Sequence, residues 1–167
     1  MNAACLARAA LRIALVCAAV IGADTAQAAN ACQQAVGCSE VRTFTATVTN
    51  LRATKQGTNR LVSLTVRFQN KTDKPLTLGY VSDSGLITDD VGNRYVVSGP
   101  GAVRGIGAVT GNTFDAKFTL EPKDSSDARF ELLWKDAGNS AAGTKFDLDL
   151  AVREIVAGSG DQLKLGA

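Results

Sequence analysis

Val62-Ser-Leu-Thr-Val-Arg-Phe-Gln69 decides the fold class. Val62, Leu64, Val66 and Phe68 alternate with Ser63, Thr65, Arg67 and Gln69. Successive side chains of a strand point to opposite faces, so this run has one dry face and one wet face. The same period of two recurs on both sides. Phe44, Ala46 and Val48 alternate with threonines at 43, 45, 47 and 49. Downstream, Leu76, Leu78 and Tyr80 form one set, and Phe114, Ala116, Phe118 and Leu120 another. Ala128, Phe130, Leu132 and Trp134 follow, then Phe146, Leu148, Leu150 and Val152.

Turn clusters separate these runs. They are Asn70-Lys-Thr-Asp-Lys-Pro75, Asp89-Asp-Val-Gly-Asn93 and Glu121-Pro-Lys-Asp-Ser-Ser-Asp127. Leu86–Thr88 and Arg94–Val97 flank the second cluster as a hairpin, with Gly92 and Asn93 expected at positive φ. No sustained helical period occurs after residue 28. About seven or eight antiparallel strands, each with one apolar face, predict an all-β antiparallel sandwich, although the true immunoglobulin hallmark is absent, since Cys32 and Cys38 are too close to bridge two sheets and Trp134 lies near the end. A closed barrel is the alternative. The expected inward set is Val62, Leu64, Val66, Phe68, Phe118, Phe130, Leu132, Trp134, Phe146, Leu148 and Leu150.

The N-terminus reads as an export signal. Arg8 and Arg12 precede the apolar run Ile13–Ala23, and Ala26-Gln-Ala28 supplies the small residues a signal peptidase requires. The run is shorter than the roughly 20 residues that span a bilayer. Cleavage after Ala28 leaves 139 residues, with 16 basic and 15 acidic side chains, a net charge of +1. That balance gives no electrostatic reason to bind nucleic acid or an anionic membrane, and no membrane insertion is expected after cleavage. The organisation expected is a signal over 1–28, an N-terminal segment over 29–40, the sandwich over 41–156 and a flexible tail over 157–167. Cys32 and Cys38 remain after cleavage and are expected to pair as a disulfide in an oxidising compartment, periplasmic or extracellular.

Three segments resemble secreted bacterial immunoglobulin-like domains. Val62–Leu76 is similar to their strand, Asn, polar turn and Pro-Leu pattern, and Thr88–Tyr95 to their Asp, Gly, Tyr hairpin. Leu120–Phe130 is similar to their Leu, Pro, polar turn and Phe-ended strand, with Lys123 where those turns commonly carry Gly. The nearest named family is the immunoprotective extracellular protein family. The resemblance implies export and a sandwich, and it carries over no catalytic residue.

The chain contains no His. The usual general base of Ser and Cys nucleophiles, and the commonest zinc ligand, are therefore missing. No cofactor or metal is expected. Asp89, Asp90 and Asn93 cluster as oxygen ligands for Ca²⁺ would, but their spacing departs from the calcium-loop pattern and a hairpin explains them. Asn70-Lys-Thr72 fits a glycosylation sequon, yet Asn70 is expected to cap its own turn. The Gly-rich stretch Ser98–Asn112 carries Val103, Arg104, Ile106 and Val109. Apolar side chains on a long loop either cover their own sheet or meet a partner. These four are the candidate partner-binding residues. The function expected is an exported non-catalytic module that binds a protein or cell-envelope ligand. The alternatives are an envelope-assembly partner docking by a sheet edge and a carboxylate-based hydrolase.

Overall fold

The structure is a computed structural model and describes residue 32 and residues 37–99, 101–157 and 163–165. The chain divides into two compact units, Met1–Ala35 and Val36–Ala167. The expected signal over 1–28 lies outside the described residues. Cys32 and Cys38 are both disulfide-bonded, as the expected pairing requires.

Among the described residues the second unit is built from strands without helix. In chain order they are β1 (Cys38–Glu40), β2 (Phe44–Gln56), β3 (Asn59–Asn70), β4 (Leu76–Val81), β5 (Leu86–Asp89), β6 (Arg94–Val97), β7 (Val103–Arg104), β8 (Gly107–Thr110), β9 (Thr113–Phe114), β10 (Thr119–Leu120), β11 (Ser125–Trp134), β12 (Phe146–Asp149), β13 (Val152–Ala157) and β14 (Leu163–Leu165). The larger sheet runs β1-β2-β3-β11-β6-β5-β12, with β7 also paired to β11. The smaller runs β14-β13-β4-β8-β9, with β10 also on β4. The two sheets form the expected sandwich.

The centre follows from the alternation. Val62, Leu64 and Val66 of β3 lie opposite Leu132, Phe130 and Ala128 of β11, and all six are buried. Leu78, Tyr80, Phe118 and Leu120 face them from the other side of the core. Phe68 packs edge-on to Phe118, and Tyr80 edge-on to Phe130, with ring centroids 5.8 and 5.5 Å apart. Each such side chain contributes roughly 1.5–3 kcal/mol by leaving water. Trp134, Phe146, Leu148 and Leu150 pack on this core but stay half-buried.

The structure departs from the sequence reading in four places. The Gly-rich stretch is no free loop: β7 joins the larger sheet, and β8 then crosses to pair with β4. That last pairing is parallel, so the sandwich is not wholly antiparallel. Glycine makes the crossing possible. A Cβ on Gly105 would sit 2.7 Å from the Asp127 carbonyl oxygen, and one on Gly107 1.8 Å from that of Asp115. The run Phe114–Leu120 keeps its alternating burial but splits into β9, which pairs with β8, and β10, which pairs with β4. Part of the expected flexible tail is β14, paired with Ile155–Ala157 of β13. In the β5–β6 hairpin only Gly92 takes positive φ (91°), whereas Asn93 does not.

Candidate functional site

Ile106 and Val109 are 3% and 2% exposed, and Val103 packs half-buried on the core opposite Phe130. Three of the four candidate partner-binding side chains therefore cover the sheet, and the structure does not bring the four together as one surface. Arg104 is exposed, and its Nε donates to the Gly101 carbonyl at 3.0 Å.

Asp89 is 4% exposed and accepts hydrogen bonds from five donors. They are the backbone N–H of Val91, Asn93 and Gly143, the Asn93 amide and the Tyr95 hydroxyl. Burial pushes its carboxyl pKa up, but the donors, Gly143 foremost, outweigh burial and bring it down to about 2. Asp90 accepts from the N–H groups of Thr144 and Lys145, which hold its carboxyl below the ordinary range. Together they lock the β5–β6 hairpin to the loop before β12. A carboxylate so saturated has no lone pair left for a metal and is too acidic for general-acid work.

Asn70 is also structural, as its turn-capping reading implies. It is 0% exposed. Its Nδ2 donates to the carbonyls of Lys74, Leu120 and Glu121 at 2.8, 3.2 and 3.1 Å. Its Oδ1 accepts from Thr72 N–H and Oγ1. A glycan has no access to that nitrogen.

The site left open is a groove of about 900 Å³ along the seam where the larger sheet's two ends approach each other. One wall is β1 and β2, with Phe44, Ala46, Val48 and Leu51; the other is β12 and the start of β13, with Phe146, Leu148 and Leu150. Most of these side chains pack on the core from one side and are half-buried. Leu51 is 39% exposed. A bulge between Val48 and Asn50 puts it there. Val48 lies opposite Val66 and Leu51 opposite Leu64, so the extra residue restores Leu51 to the core-side face. β12 has only four residues and does not reach across to cover it. The charged side chains among the groove's lining residues are Asp147 and Asp149.

No protein-family model matches the chain, and no curated protein matches it by sequence. A solved structure of an uncharacterized β-sandwich protein from Clostridium difficile 630 is similar at 10% identity and a TM-score of 0.34, over 80% of this chain and 91% of that one.

Sequence reasoning assigned Phe146, Leu148 and Leu150 to the core. It missed that these residues, with β2, line a groove. It also missed an apolar row on the outer face of the larger sheet, where Leu61 lies opposite Leu133, Leu133 opposite Val96, and Val96 opposite Leu86. The signal for that row was present: Leu61 and Leu133 are apolar at positions where the alternation calls for polar side chains.

Proposed function

We infer that the protein is an exported, non-catalytic binding module of the immunoglobulin-like kind, and that the seam groove holds its ligand. The observation that carries this reading is the apolar groove itself. Ligand sites are concave and mostly apolar with a few placed polar groups, within roughly 300–1,000 Å³. Here aromatic and aliphatic walls enclose about 900 Å³ between strands that a closed sandwich would bring into contact. The reading draws further support from the chain's lack of His and from the saturation of Asp89. The resemblance to secreted bacterial domains of the immunoprotective extracellular protein type agrees with export.

Leu51→Glu tests it. Leu51 is exposed, so the fold should keep its stability to within roughly 0.5 kcal/mol. A charge on the groove wall should abolish binding of an apolar fluorescent probe such as anilinonaphthalene sulfonate. Undiminished probe binding by the folded variant removes the groove from the account.

A further inference from the structure

We propose that the groove takes an extended polypeptide segment, alternating apolar and Lys or Arg residues, which adds to the larger sheet along the outer edge of β12. The inference rests on the binding-module reading and names its ligand class.

The geometry of β12 carries the first half. Phe146, Asp147, Leu148, Asp149 and Leu150 all line the groove, inward and outward residues alike. A strand that lines a cavity with every consecutive residue presents its edge to it, since either face alone would supply every second residue. The backbone agrees. Asp90 N–H donates to the Lys145 carbonyl at 3.1 Å, and Asp147 and Asp149 lie opposite Thr88 and Leu86. With a period of two, the main-chain groups of Asp147 and Asp149 turn toward β5, and those of Phe146 and Leu148 turn away from it. Among the described residues no strand pairs with that edge. An acyl chain in the groove would leave these N–H and C=O groups unmatched. A peptide strand satisfies them, and its apolar side chains meet Phe44, Val48 and Leu51.

Charge carries the second half. Asp147 and Asp149 project from the same face of β12, two residues apart, and no Lys or Arg lines the groove. A segment with cations at every second position places them beside the two carboxylates. The same pair disfavours a second copy of this chain. Antiparallel pairing of β12 with itself would set carboxylate against carboxylate, and inward or flanking charge is how edges resist self-pairing.

The test uses the mature protein and two capped peptides, a Val-Lys alternation and a Val-Glu alternation of seven residues. The Lys peptide should bind about tenfold tighter, within the roughly two- to thirtyfold that two exposed ion pairs supply. Asp147→Lys with Asp149→Lys should invert that preference. On binding, the amides of Phe146 and Leu148 should gain protection from hydrogen exchange while those of Asp147 and Asp149 change little. Equal affinity for the two peptides, or a preference unmoved by the double reversal, overturns the proposal. So does a dimer that dissociates on that reversal. Retained binding of the apolar probe, lost in Leu51→Glu, together with no peptide binding, overturns the strand ligand and spares the groove. Loss of both takes the binding-module reading with it.

Discussion

Asn70→Ala should cost the sandwich about 3 kcal/mol. The side chain is fully buried at the end of β3 and makes five hydrogen bonds that join the Lys71–Lys74 turn to the Leu120–Glu121 corner. At about 1 kcal/mol each, with the two Nδ2 hydrogens shared among three carbonyls, these bonds bound the loss near 4 kcal/mol. The Leu120 carbonyl contact is buried and has no replacement, whereas the other four are part-buried and regain water in part. The expected value therefore falls below the bound. Urea denaturation measures it, with an unchanged m-value and a fall in melting temperature of about 10 °C. Asn70→Asp separates hydrogen bonding from shape. Its carboxylate would face three carbonyl oxygens where the amide donated, so its folded pKa lies above the unfolded value of about 3.9. The folded state then binds more protons, and this variant should gain stability as pH falls from neutrality toward 4. A loss under about 1 kcal/mol in Asn70→Ala, or an Asn70→Asp variant whose stability does not rise on acidification, refutes the capping account.

Three further outcomes follow from single contacts. The Asp89 carboxyl is depressed to about 2 in the fold, so its contribution is complete above the unfolded value of about 3.9 and fades as pH falls toward 2; the acid limb of a stability–pH curve should flatten in Asp89→Asn. Gly107→Ala should disrupt the crossing between sheets, because its Cβ would lie 1.8 Å from a backbone oxygen, and a soluble variant of wild-type melting temperature contradicts the close approach. Lys123 sits at φ 63°, where the resembling turns carry Gly, and Lys123→Gly should raise stability by about 0.5 kcal/mol in thermal denaturation, the relief of left-handed strain exceeding its exposed contacts to Lys71 and Asp73.

The strands were legible where one face is dry and one wet. Val62–Phe68 and Ala128–Trp134 lie in the middle of the larger sheet, and their side chains follow the period of two, broken only by the apolar Leu133 on the outer face. The tip of β2 was not legible, because the bulge after Val48 shifts Leu51 and Ala53 out of the phase set by Phe44, Ala46 and Val48. The stretch around Gly105 and Gly107 read as a loop because its glycines serve backbone contact, which leaves no side-chain pattern. Its apolar residues Ile106 and Val109 are nonetheless where core covering would put them. Asn70 and Asp89 were legible as turn residues by type, and their long-range partners, Leu120 and Gly143, were not. The groove depends on the approach of β2 to β12, strands roughly a hundred residues apart. No local period encodes a gap between two edges. Phe146 and Leu148 therefore looked like ordinary core.

Mapping where a ligand lands is the most direct test of the account. Amide chemical shifts of the labelled protein would be followed during titration with the Val-Lys peptide. The account predicts shifts concentrated at Val48–Leu51 and Phe146–Leu150, the two walls of the groove, with Val103–Val109 and the outer row of Leu61, Val96 and Leu133 unmoved. Shifts centred on the outer row or on Arg104, with the groove walls silent, would contradict it.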